Sequence, residues 1–424
     1  MWVGPKVIEA VNWQGYTILY YLRKRYGRGL ETLMTIVTVM QSWLGQVADM
    51  TAITYCIDEL SVGYPSVLAT VATAMVTVLY TVIGGFRISV VTDQVQGAII
   101  VVLVCVVVAA LFISVVPELP AEDWSVANTW EPEGLMTGTV LIVSVFFVTF
   151  TDLAFWQKGF AANSVKDIQW GMVFGMVLTL PVIILFGSTG FILRAAEAAG
   201  FVTVHYASDG FFQLVSFLPM WLMVCVVFLT ICLACSSLDS RVNSLSNILG
   251  PTLEHYNWDL NWSRLFGLVV NILAAIAAVY QPSSIMTMLF LGNIIGQITG
   301  PVIFLGLWPK ATQAGAVVGI AAGFLSVFIM GWASIGTFIG GFQWFLFPWG
   351  WGNWQCLFTF LLGPAVTVIV AALVSLAQHY FDPTLQEKLD ARIAALAGAE
   401  KSYEASSATT EKSTSSEEMS SFDV

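Results

Sequence analysis

Ala98-Ile99-Ile100-Val101-Val102-Leu103-Val104 lies inside an apolar segment over 93–115 and decides the fold. A membrane β-strand alternates lipid-facing apolar with lumen-facing polar residues over about ten positions, and this run does not alternate. A helix needs about 20 mainly apolar residues to cross a hydrocarbon core of roughly 30 Å, which the segment supplies. Working outward, nine further stretches have the same character: 30–57, 65–83, 137–157, 167–195, 211–249, 262–280, 284–307, 311–331 and 353–379. The stretch 211–249 is longer than one crossing and is expected to continue as helix beyond the membrane. The chain is therefore expected to be an all-α polytopic membrane protein of about ten transmembrane helices, with a lipid bilayer as its first partner.

Composition agrees. Hydrophobic residues make up 57% of the 424 positions and charged residues 10%, against roughly 25% charged in a soluble domain. Basic residues collect on the cytoplasmic side of short loops. With the first segment placed inside, ten spans put Lys6, Arg23, Lys24, Arg25, Arg28, Arg87, Lys158, Lys166, Arg241, Arg264, Lys310, Lys388, Arg392, Lys401 and Lys412 inside, and only Arg194 outside. This predicts a cytoplasmic C-terminus and an integral membrane protein, placed in the plasma membrane. The domain reading is a cytoplasmic N-terminal segment over 1–29, a transmembrane core over 30–380 and a largely disordered cytoplasmic tail over 381–424, rich in Ser, Thr and Glu beyond 402.

Several functional classes find no support. The six cysteines sit in or beside apolar spans, and Cys232 and Cys235 have no further Cys or His pair to complete a zinc site. His205, His255 and His379 are scattered, so no nucleophile–base arrangement forms and no enzyme is expected. There is no Gly-rich phosphate loop and no basic nucleic-acid patch, so neither an organic cofactor nor a nucleic-acid partner is indicated.

Polar residues inside the membrane are costly and mark functional positions. Gln41, Gln46 and Asp49 interrupt the first span. Thr92, Asp93, Gln94 and Gln96 follow Gly84-Gly85 at the start of the third. Thr149, Thr151, Asp152 and Gln157 lie in the fourth. The sixth carries Ser236-Ser237-Leu238-Asp239-Ser240-Arg241-Val242-Asn243-Ser244-Leu245-Ser246-Asn247, whose positions 236, 240, 243, 244 and 247 share one side at helical spacing. Adjacent hydroxyls and a carbonyl one turn earlier can coordinate a hard monovalent cation; helix–helix hydrogen bonding is the other reading of the serines.

These residues carry a resemblance. Tyr20-Tyr21-Leu22-Arg23-Lys24-Arg25-Tyr26-Gly27 resembles an E-Y-L-x-x-R-F-G joint, and Gly84 to Gln96 resembles G-G-x-x-A-V-x-x-T-D-x-x-Q. Phe155 to Ala162 resembles a Q-R-x-x-A-A element, Ser236 to Ser246 resembles S-S-x-x-S-x-x-N-S-x-S, and Leu307 to Ala316 resembles a W-K-R-x-x-x-x-G-A joint. In order and spacing the chain is similar to the sodium:solute symporter family over residues 15–380. The resemblance implies a LeuT-like bundle of inverted repeats that works by alternating access, with its sites near mid-membrane. Function is then uptake of a small polar organic solute coupled to a cation gradient, sodium first and a proton as the alternative.

Carried over by residue, the sodium ligands are the hydroxyls of Ser236 and Ser237 and the carbonyl of Leu233. A second cation lower down would fall to Asp93, Asp239 and Ser240, with Asp239 departing from the small residue usual there. Phe155 or Trp156 stands where the family has an inner aromatic gate; Asp49, Asp152 and Gln157 complete the candidate solute and gate set. The resemblance also places the joint at 21–27 before the third core helix, so the chain is expected to represent a truncated form. As given, it is expected to insert without concentrating solute. A sensor or regulatory fragment that keeps the transporter scaffold is the rival reading.

Overall fold

The computed structural model describes residues 3–13, 17–60, 65–127, 129–204, 210–255, 261–280, 285–346, 352–391 and 393–394. His205 and most of the expected tail, residues 395–424, lie outside the described residues. With no water in the bilayer core, a backbone must satisfy its own N–H and C=O groups, and among the described residues the regular structure is helical. In chain order the helices are α1 (Val3–Ala10), α2 (Ile18–Arg25), α3 (Arg28–Leu60), α4 (Ser66–Ser114), α5 (Asp123–Ala127), α6 (Pro132–Thr151), α7 (Leu153–Phe160) and α8 (Val165–Ala198). They continue as α9 (Gly210–Val215), α10 (Met220–His255), α11 (Asn261–Tyr280), α12 (Ile285–Thr299), α13 (Pro301–Leu305), α14 (Gln313–Ile335), α15 (Phe338–Gln343) and α16 (Trp354–Phe381).

Among the described residues all ten apolar stretches are mainly helical, with 137–157 broken at Asp152 and 211–249 divided between α9 and α10 by residues 216–219. Eight helices among the described residues are long and apolar enough to cross a membrane, and α4 is one of them. It accounts for two of the expected spans, because Gly85 leaves the helical region at φ 58, ψ −157 and divides it into arms over 66–84 and 86–114. That backbone is strained for any residue with a Cβ, so glycine makes the division possible. The tenth span, α3, is the least apolar, since its 33 residues carry Gln41, Gln46 and Asp49. As expected, α10 runs on for 36 residues.

The N-terminal residues are built into the fold. Val7, Ile8, Val11, Ile18, Leu22 and Tyr26 are buried in the largest core cluster, with Trp156 and Phe160 of α7 and Ile303 of α13. α2 also meets the end of the α12–α13 pair, where side chains add to the few backbone partners of the last carbonyls. The Arg25 guanidinium donates to the carbonyls of Gly306 (2.7 Å), Trp308 (2.8 Å) and Pro309 (2.8 Å). The Tyr26 hydroxyl donates to Val302 (3.0 Å) and that of Tyr21 to Ile303 (3.3 Å). Burial pushes both phenols above the usual tyrosine range, so they remain donors.

Packing between the helices relies on small residues, because lipid provides little hydrophobic drive for association. Gly315, Gly319 and Gly323 form a stripe on α14 against Thr367, Ala371 and Ser375 of α16, and a Cβ at Gly319 would meet the Thr367 carbonyl at 2.6 Å. Threonines at 38, 51, 77, 299 and 367 turn their hydroxyls back onto the carbonyl four residues earlier, which removes an unsatisfied donor from the interior.

Gly319→Leu should therefore overpack this interface at a cost of about 1–3 kcal/mol and lower the unfolding midpoint in detergent by several degrees. Gly171→Leu on α8, where nothing lies within 4 Å of the new Cβ, should leave it unchanged. Equal midpoints for the two variants would remove the α14–α16 stripe from the account of stability.

Candidate functional site

The polar stripe of α10 faces three neighbours. One residue turns a helix by about 100°, so positions four apart share a direction and adjacent ones do not. Ser236 and Ser240 point at the second arm of α4: the Ser236 Oγ donates to Asp93 Oδ1 at 2.5 Å and Ser240 to Asp93 Oδ2 at 3.4 Å. Ser237 and Arg241 point at α3, where the Ser237 Oγ donates to Asp49 Oδ2 at 2.6 Å. The Arg241 Nε lies 3.5 Å from the same carboxylate oxygen and donates to the Ser237 Oγ at 3.1 Å. Gly45, one turn before Asp49, keeps that approach open, because a Cβ there would run into the guanidinium.

Asp239 faces the hairpin of α4 and is fully buried. It accepts from the Tyr80 hydroxyl (3.0 Å) on the first arm and from Ser89 (3.1 Å) and Thr92 (3.0 Å) on the second. The resemblance had grouped Asp239 with Asp93 and Ser240 around one cation. Asp93 meets Ser236 and Ser240, while the Asp239 carboxylate takes its donors from Tyr80, Ser89 and Thr92, the last of them adjacent to Asp93. Asp93 carries one further partner, the Lys158 Nζ at 2.7 Å.

The break between α6 and α7 falls at Asp152, whose φ −75 and ψ 111 are extended. Its cost is met by an exchange of bonds. The Asp152 Oδ1 accepts from the amides of Ala154 (2.9 Å) and Phe155 (3.4 Å), as an N-cap does. The Trp156 indole N–H donates to the Phe150 carbonyl at 2.7 Å, a carbonyl that would otherwise face Ala154. Trp156 is thus buried and committed to the break, whereas Phe155 is 39% exposed beside it and Gln157 is buried. Of the two aromatic candidates, Phe155 is the one placed to move.

A cavity of about 60 Å³ opens at this break between α3, α6, α10 and α12. Gln41, Ser42, Asp152, Arg241 and Asn293 line its polar wall. The Gln41 Oε1 is buried and has no partner among the described residues, leaving an acceptor directed at whatever enters.

Each serine hydroxyl gives its proton to a carboxylate and retains lone pairs for a cation, and the carboxylates supply the compensating charge. Leu233 precedes Ser237 by one turn of α10, with its side chain 42% exposed. Tyr80, Ser89, Lys158 and Arg241 also meet these carboxylates and were not among the candidate site residues read from the sequence. For the two basic residues the signal was present: an intramembrane acid needs a partner, and these are basic residues close to the polar runs. Nothing in the local sequence of Tyr80 marks it.

A profile of the sodium:solute symporter family matches residues 1–323. The spermidine transporter DUR31 of Candida albicans is 25% identical over 315 residues, a match covering 72% of this chain and 58% of that protein. A sodium/glucose cotransporter of Vibrio parahaemolyticus is 23% identical over 357 residues, covering 72% of this chain and 65% of that protein. The chain thus spans less than two thirds of either relative. Among solved structures, a Na+-coupled sialic acid symporter in a substrate-bound outward-open state superposes with a TM-score of 0.63 at 18% identity, over 88% of this chain and 83% of that one. The LeuT-like bundle implied by the sequence resemblance is the fold of this protein.

Arg241→Met should leave Asp49 without its counter-charge. Because both side chains are about a quarter exposed, the loss should fall below that of a fully buried pair, at about 1–3 kcal/mol of stability. Adding Asp49→Asn to that variant should recover most of the loss. A double variant whose thermal midpoint shows simply summed penalties would mean that the two residues act independently.

Proposed function

The chain belongs to the sodium:solute symporter family, and on that premise we propose that it couples movement of a small polar organic solute to a sodium gradient by alternating access. One observation carries this reading: membrane-embedded Asp49 and Asp93 converge on adjacent serines of one helix, beside a broken helix that opens a cavity with polar groups on one wall. Sodium is bound by the Ser236 and Ser237 hydroxyls and the Leu233 carbonyl, with Asp93 and Ser240 forming a lower station. Asp239 holds the α4 hairpin against α10 and keeps that station's wall in place. Solute enters the cavity at the α6–α7 break, where Asp152, Gln41 and Asn293 meet its polar groups and Phe155 shields it from the inner side.

Coupling follows from reciprocity. If sodium and solute both favour the arrangement in which α7 is closed on α3 and α10, each raises the affinity of the other, typically by 1–3 kcal/mol. The printed substrates of the relatives, spermidine, glucose and sialic acid, differ in charge, which makes the cavity wall the determinant of the solute. The chain sits in the plasma membrane with α2, the α13–α14 joint and the C-terminus on the cytoplasmic side. The meeting of Arg25 with Trp308 and of His379 with the Lys310 carbonyl at one end supports a shared side for these segments. Arg194 near the end of α8 and Glu131 at the start of α6 approach to 3.9 Å on the side assigned as outer.

Replacing Ser236 and Ser237 together by Ala should raise the half-saturating sodium concentration about tenfold, the factor given by losing about 1.4 kcal/mol of ion binding. Sodium dependence of uptake, or equilibrium sodium binding by the purified chain, measures it; an unchanged value would reduce these serines to packing. For orientation, single cysteines at Glu122 and Glu197 should react with an impermeant thiol reagent from outside, and those at Lys166 and Lys310 only after permeabilisation. Labelling of either pair from the opposite side would reverse the assignment.

A further inference from the structure

We propose that Lys158 is a tethered stand-in for the coupling cation: its ammonium holds the charge position at Asp93, and sodium gains that position by displacing it. The inference rests on the reading of Asp93 as a cation ligand and assigns a role to a residue that reading leaves out. Asp93 presents one carboxylate to one positive charge. Its Oδ1 takes the Ser236 hydroxyl at 2.5 Å, and its Oδ2 takes the Lys158 Nζ at 2.7 Å with the Ser240 hydroxyl at 3.4 Å. An ammonium on the carboxylate that also receives two serine hydroxyls has the charge that a sodium ion would bring there. Two positive charges within a few ångströms repel, so occupancy by one disfavours the other.

The surroundings let the exchange happen. The Lys158 side chain is 47% exposed, whereas that of Asp93 is 18% exposed, so the ammonium can leave while the carboxylate stays inside. A cavity of about 530 Å³ lies alongside, bounded by Phe86, Val90 and Gln94 of α4 and by Ala161 and Ala162 just past α7. The four-carbon stem can swing its strongly hydrated head into that space. Lys158 sits in the last turn of α7, an eight-residue helix joined to α6 only through the break at Asp152. With the ion pair made, the inner half-helix is fastened to α4. Once sodium replaces the ammonium, this fastening to α4 is lost, and α7 becomes free to close on α3 and α10. Ion binding is thereby converted into release of the element that carries Phe155.

The experiment uses the whole chain in detergent. Acylation of Lys158 by an amine-reactive reagent is followed by mass spectrometry in sodium chloride and in choline chloride, and sodium affinity is measured by equilibrium binding of radioactive sodium. Sodium should speed acylation of Lys158 several-fold, and Asp93→Asn should make it fast in either salt. Lys158→Met should bind sodium at a concentration about threefold lower, as expected when a partly exposed pair no longer competes. Lys158→Arg should retain the wild-type value, which a merely structural lysine has no reason to require. Acylation insensitive to sodium, or an unchanged affinity in Lys158→Met, overturns the proposal. If that occurs while Ser236→Ala with Ser237→Ala still shifts sodium binding, the symport reading stands and only the role of Lys158 falls. Absence of any sodium binding removes both.

Discussion

A charge placed in hydrocarbon must find a partner inside the protein, and α10 is where this protein answers that requirement. Asp49, Asp93 and Asp239 come from or face three different elements, and the donors that stabilise them are distributed around a single helix and its immediate neighbours. The helix consequently cannot rotate or slide without removing donors from at least one carboxylate. Alternating access needs a fixed reference against which other helices move, and a helix held on three sides has that property. The polar residues that make the site chemically useful are the same ones that make α10 immobile.

The discontinuities obey a related rule. A helix in lipid may be interrupted only where side chains take over the abandoned backbone bonds. At the α6–α7 break the exchange is local, with Asp152 serving the amides and Trp156 the carbonyl. At the end of α13 it is remote, since the substitutes come from α2. In α4 the interruption needs no substitute donor at the turn, because glycine bears the unusual backbone and the arms are held together through Asp239.

Much of this was legible in the sequence, for reasons that differ by residue. The ten helical stretches could be read because apolarity over about 20 residues has few alternative explanations in a chain so poor in charge. Ser236, Ser237, Asp49 and Asp93 stood out as polar atoms in apolar surroundings. Spacing could suggest which residues share a face but not what stands opposite that face. The donors that Asp239 finds on the α4 hairpin therefore could not be read from its neighbours in sequence. Lys158 and Arg241 were counted as markers of the inner side; each also meets an intramembrane acid. Residues 1–29 read as a cytoplasmic segment, since α1 and α2 are too short for their buried faces to register as periodic. Their place became visible only through the carbonyls of Val302, Gly306 and Trp308.

The clasp made by α2 bears on how the molecule is assembled. Arg25 is synthesised well before its acceptors at Gly306, Trp308 and Pro309, which lie 281 to 284 positions later. During synthesis α2 must wait at the membrane surface with its guanidinium in water and its tyrosines uncovered, while nearly all the spanning helices are inserted. Closing a loop of that length is entropically expensive, and the closure comes late, after neighbouring helices have reduced the space to be searched. Until then the Arg25 acceptors just past α13 lack their guanidinium partner. Completion of this part of the fold is thus registered at one point, where α2 is fastened to the joint between α13 and α14.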